Sequence, residues 1–235
     1  METDVRVQSE SPKFRLIASP WHTALVLAVQ ALLAYRGKIR ADQMRAVLHP
    51  DHIGIYERTM IFEWLVLGLV IVGVSLHGSS LLTVFGERWR SVRQLLRDIG
   101  IAVLFLIVSI PVISILGSIL RGGAADNAAQ FLLPRGGIEM ALWVALSISA
   151  GICEEALYRG YLQRQFTALT QSVPAGILLS AAMFGAAHSY QGLRKAFEIC
   201  LLGAMLGILA HWRRSVHPGM IAHALQDVLG GIVKH

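Results

Sequence analysis

The chain has 235 residues, of which 54% are hydrophobic and 15% charged, and its formal net charge is +6. A water-soluble core cannot hide that much apolar surface, which excludes an ordinary soluble domain and leaves a protein solvated by lipid. The basic residues fall in short segments between apolar runs, the pattern of cytoplasmic membrane loops, and this excludes nucleic acid as a partner.

Residues 1–15 mix Glu2, Asp4 and Glu10 with Arg6, Lys13 and Arg15 around no apolar centre, and predict a polar tail with no removable leader. Trp21 to Tyr35 predicts a first hydrophobic helix, ended by Arg36, Lys38 and Arg40. Its 15 residues suit either a span or a helix lying in the interface. The polar stretch 36–58 reads as a loop. Nearly charge-free runs follow at 61–76, 99–120, 138–153, 173–187, 199–211 and 216–233, each predicting a helix. Residues 87–97, with Arg88, Arg90, Arg93 and Arg97, predict an amphipathic interfacial helix, and the Gly- and Pro-containing stretch 121–137 a loop. A span needs about 20 apolar residues, so the shorter runs belong inside the bundle beside a thinned, wet region.

The expected fold is all-α: one polytopic transmembrane helical bundle of about seven to eight helices, covering 16–235. The period-2 alternation of a membrane barrel is absent. Two basic segments flank one apparent span, so charge alone leaves the orientation open. The expected setting is a bacterial-type plasma membrane crossed several times. Cys153 and Cys200 fall in apolar runs, as small buried hydrophobes and not as a disulfide framework. His22, His49, His52, His77, His211, His217 and His235 read as interfacial or loop residues without a role.

The informative residues are the polar ones that interrupt the apolar runs of the second half. Glu154, Glu155 and Arg159 end one run. Residues four apart share a helical face, so Glu155 can pair with Arg159, whereas Glu154 points about 100° away and has no local counter-ion. Charges at such depth cost roughly 2.5–3.5 kcal/mol each on insertion scales, so they need partners or a purpose. The asymmetry predicts Glu155 as structure and Glu154 as a base or ligand turned to a wet cavity. A helix end at the membrane surface would explain both glutamates equally well. His188 ends a run rich in Ser, Ala and Gly, residues that let helices approach closely. His223 and Asp227, four apart, share a face of the last run. Alone, His188 is an ordinary interfacial histidine and His223–Asp227 a private hydrogen-bonded pair. Bundled together, the three helices bring Glu154, His188, His223 and Asp227 into one polar pocket, with the carboxylates and imidazoles that zinc-water or general-base hydrolysis requires.

Glu154-Glu155-x-x-x-Arg159, then Phe184-x-x-x-His188, then His223-x-x-x-Asp227, in that order on successive hydrophobic helices, resembles the CPBP family of intramembrane peptidases, the group of CAAX proteases and bacteriocin-processing enzymes. The resemblance covers roughly 138–233. It implies a protease that cuts a peptide or membrane-protein substrate near the bilayer, with Glu154, Glu155, Arg159, His188, His223 and Asp227 as its site. Prenylated CAAX tails, leader peptides and membrane-protein segments are all compatible with it. Two mechanisms follow from the resemblance: zinc held by His188 and His223 with Glu154 or Asp227, or metal-free catalysis with Glu154 as general base and His223 donating to the oxyanion. An ionised Asp is acceptor-only, so Asp227, where an Asn would donate, favours a metal ligand or a group orienting His223. No His-Glu-x-x-His helix, Gly-x-Ser-Gly or Gly-x-Gly-Asp segment offers another intramembrane protease chemistry. Nothing near Cys153 activates a thiol. Two other classes compete: a proton-coupled transporter, which brings repeated halves or broken helices not seen here, and a non-catalytic scaffold of the same fold.

Overall fold

The computed structural model describes residues 13–47, 50–121 and 130–233. Most of the polar tail, residues 122–129 of the loop at 121–137, and His49 and His235 lie outside the described residues.

Helix α1 (Pro20–Arg45) starts where Ser19 caps the backbone N–H of His22 and Pro20 occupies the first turn. It runs ten residues past Tyr35, so the basic segment expected as a loop is helical: its charges lie on the exposed side of an amphipathic helix. Asp51 caps Gly54 N–H and opens α2 (His52–Leu76). After the short α3 (Leu82–Phe85) comes α4 (Val92–Arg121), so no separate helix covers 87–97. The reason is local: buried Asp98 accepts from Trp89 Nε1 at 2.9 Å and pairs with Arg213 and Arg97, which holds 89–91 folded back against the first turns of α4. Then follow α5 (Gly137–Glu155), a π-helical turn (Ala156–Leu162), α6 (Gln163–Thr170), α7 (Val173–Ala187), α8 (Leu193–Arg213) and α9 (His217–Val233).

Since α5, the π turn and α6 are continuous, the described residues form seven long helical units plus α3, an all-α bundle. Three units are long and apolar enough to cross a membrane: 52–76, 92–120 and 137–170. Their surfaces agree, since Ile61, Trp64, Leu65, Leu104, Ile107 and Ile119 all stand exposed, as lipid contacts would. This is an integral membrane protein. The 15-residue α7 is apolar but short and packs onto α8.

In the bundle, α5 lies on α9 and α2, while α4 covers α8 and α9. Gly151 sets the α5–α9 distance: a Cβ there would stand 2.7 Å from the carbonyl oxygen of Met220. The core gathers Val26, Val66, Val70, Val74, Leu157, Tyr161, Leu162 and Phe184. Two histidines expected to have no role turn out to be internal ties. Fully buried His52 bridges Glu139 at 2.8 Å and the carbonyl oxygen of Phe131 at 3.1 Å. His22 bridges Tyr161 OH at 2.7 Å and the Leu69 carbonyl at 3.0 Å. Each ring thereby joins its own helix to a side chain and a backbone carbonyl of other segments.

Buried Gln165 ties α6 to the chain entering α1. Its Oε1 accepts from Ile17 N–H at 2.8 Å, and its Nε2 donates to the Ala18 carbonyl at 3.0 Å and to Thr23 Oγ1 at 2.6 Å. Gln165→Leu keeps the volume and removes these partners, so we expect a loss of about 2–3 kcal/mol, read as a lower thermal midpoint in detergent.

Candidate active site

The site is built where α5 changes helical register. The π turn 156–162 is buried throughout, and widening the helix there displaces carbonyls from their usual partners. One is recovered by Ser180 of α7, which donates to Tyr158 O at 2.6 Å. Glu154 and Glu155 stand just before this turn and Arg159 within it.

Glu155 is wholly buried, and its Oε1 accepts from Arg159 Nη1 at 2.8 Å and from His223 Nδ1 at 3.0 Å. A carboxylate only accepts, so the bond assigns the Nδ1 proton to His223 and turns Nε2 toward Glu154 and Asp227. Arg159 is fixed in turn: its Nη2 donates to Gly203 O at 3.3 Å and its guanidinium lies 4.3 Å from the Phe184 ring centroid. Gly219 lets α9 come this close, since a Cβ there would meet Glu155 Oε2 at 3.0 Å.

Glu154 faces the other way. Its Oε2 is buried without a hydrogen-bond partner among the described residues, 3.7 Å from His223 Nε2. Glu154 and His188 line one cavity of about 570 Å³ between α1, α2, the end of α5 and the residues after α7. The Nδ1 of His188 donates to Phe184 O at 2.9 Å, which leaves Nε2 as the ring's free nitrogen. Thus the pocket expected from the three helices divides in two. Glu154 and His188 face the cavity, whereas His223 and Asp227 do not line it and stand behind Glu154. Asp227 Oδ2 is 3.6 Å from His223 Nε2, outside hydrogen-bond distance, so the group that orients His223 is Glu155.

The cavity has a wall that sequence reasoning missed. Glu63 of α2 lines it and accepts from Ser149 Oγ at 2.6 Å. The signal was there: a lone carboxylate inside the apolar run 61–76, with the same insertion cost of roughly 2.5–3.5 kcal/mol that singled out Glu154. Tyr158 and Tyr190 also line the cavity, and Arg36, Arg40 and Arg58 from α1 and α2 bring positive charge to it. Both cysteines are free; Cys153 is buried and Cys200 partly so.

The four residues that the resemblance offers as metal ligands do not gather into a cage. Among the described residues no three His, Cys, Asp or Glu side chains are placed to hold a metal ion together. The donor types would suit zinc, but His188 lines the cavity whereas His223 and Asp227 do not. No step below is routed through a metal.

Residues 136–229 match the family model described as type II CAAX prenyl endopeptidase, Rce1-like, a match that spans less than half of the chain and contains every site residue read from the sequence. No curated protein and no solved structure matches the chain.

A buried ion stripped of its partner is costlier than the pair is stabilising. Arg159→Met is expected to destabilise the protein by about 3–5 kcal/mol, and adding Glu155→Gln to recover part of that loss, both measured as thermal midpoints.

Proposed function

We propose, supported by the match of residues 136–229 to the type II CAAX prenyl endopeptidase family model, that this chain is an intramembrane endopeptidase of the CPBP/CAAX kind in which Glu154 is the general base. One observation carries the reading: a carboxylate with a buried, unpartnered oxygen shares a cavity with an imidazole whose Nε2 is free. A water placed in the cavity between the Glu154 carboxylate and His188 Nε2 has both its hydrogens directed to acceptors, which turns its oxygen lone pair toward a substrate carbonyl lying along the cavity. Glu154 takes the proton as the oxygen attacks. His223 supports Glu154 from behind: held by Glu155, its ring lies 3.7 Å from Glu154 Oε2 and acts on the base electrostatically, without a hydrogen bond. Arg159 pairs with Glu155 at 2.8 Å and holds it in place for that task.

The cavity is mostly apolar, with Leu33, Phe62, Val66, Phe131 and Leu157 beside the arginines of α1 and α2. That lining suits an extended peptide or a membrane-protein segment entering from the lipid. The setting proposed is a bacterial-type plasma membrane crossed several times, with lipid and the peptide substrate as the partners and no role for nucleic acid.

Glu154→Gln and His188→Ala are each expected to lower peptide cleavage at least about 100-fold, tested on purified protein against a broad peptide library. The Glu154→Gln protein is expected to stay within about 1 kcal/mol of wild-type stability, because that carboxylate holds no helix in place. Metal analysis of the same samples is expected to find no stoichiometric zinc, and activity to persist in a chelator. About one zinc per chain, lost in both variants, would transfer the attacking water to a metal instead.

A further inference from the structure

Resting on the peptidase reading, the geometry points to Glu63 as the acid that protonates the leaving nitrogen, so that the reaction runs on two carboxylates from facing helices, Glu154 as base and Glu63 as acid.

Three observations carry this. Glu63 and Glu154 line the same cavity from different helices, α2 and α5, which pack together, and their carboxyl groups lie within electrostatic reach of each other. No cation pairs with Glu63 among the described residues; Arg58, five residues earlier on α2, is directed to Asp51 at 3.6 Å. Ser149 Oγ–H donates into Oε2, which leaves Oε1 without a hydrogen-bond partner among the described residues. An unpaired carboxyl in an apolar wall, facing a second carboxyl, is held as the neutral acid, because both cannot keep their charge away from water. The serine bond then specifies which oxygen carries the proton: Oε2 is occupied as an acceptor, so the O–H is on Oε1.

The proton count closes. The water oxygen bonds to the carbonyl carbon while its proton goes to Glu154. As the C–N bond breaks, the electron pair stays on nitrogen and takes the proton of Glu63. The products are a carboxylic acid and an amine, with Glu154 protonated and Glu63 ionised. Passage of one proton from Glu154 to Glu63 across the shared cavity restores the resting state. The two-carboxylate division of labour is general chemistry, since an amide nitrogen leaves only when protonated and a base that has just gained a proton need not be aimed at it.

Leaving-group dependence tests the assignment. Glu63→Gln still accepts from Ser149 but supplies no proton. It is expected to lower kcat about 100-fold on a peptide amide and to leave kcat within about threefold on the matched ester with a nitrophenol leaving group, which departs without protonation. Should that variant fail to fold, Glu63→Ala is read by the same amide-to-ester ratio. An equal fall on both substrates makes Glu63 a structural residue and overturns the inference, as does unchanged amide cleavage. A wild-type protein that cleaves neither substrate sinks the peptidase reading itself, and this inference with it.

Discussion

Burial strips a carboxylate of the water that makes its charge tolerable, so a fully buried Glu155 obliges its surroundings to supply cations and donors. They come from two other places in the chain. Arg159 reaches back from the π turn and His223 across from α9, and both bond to the same oxygen. Because one atom satisfies both, the register of α9 against α5 is set by it, and so is the ring orientation of His223. The close approach that this demands is why the facing position on α9 is Gly219, where a side chain would collide with the carboxylate.

From that arrangement the chemistry follows by contrast. Neighbouring residues of one helix, Glu154 and Glu155 point to different environments: Glu155 is committed through Oε1 to Arg159 and His223, whereas Glu154 lines the cavity. The committed group holds the framework and the one at the cavity is available for work. The cavity repeats this logic on α2, where the single bond from Ser149 leaves half of Glu63 uncommitted. In an interior where each charge is expensive, groups with spare hydrogen-bonding capacity mark where water and substrate enter.

The site was more legible in the sequence than the helices around it. Glu154, Glu155, Arg159, His188, His223 and Asp227 stand out because polar residues in apolar runs are costly and because their spacings match helical faces. The division between cavity-facing and supporting residues was not visible, since spacing tells which residues share a face and not which neighbour that face meets. Hence Asp227 seemed the partner of His223, while the partner is Glu155, 68 residues away in the chain. Glu63 was passed over because it stands alone, without the second polar residue that made the other motifs conspicuous. The separate helix expected at 87–97 failed for a related reason: its arginines fit an amphipathic pattern, but Asp98 draws Trp89 and Arg213 into a tertiary knot, and the helix begins only at Val92, as the start of α4.

Composition and periodicity by themselves determined that this chain lives in lipid as a helical bundle, because only helices or a closed barrel satisfy backbone polar groups there and the alternation of a barrel is absent. They also determined which residues pay the cost of burial and so mark the chemistry. Only the tertiary structure decided how those residues are shared out. Hydrogen bonds and ion pairs are made between specific atoms at specific distances, and helices far apart in sequence meet at angles and registers set by glycine contacts and by a single shared oxygen. The reading of Glu154 as a base therefore begins in the sequence, whereas the roles of Glu155, His223 and Glu63 exist only once α2, α5 and α9 are packed.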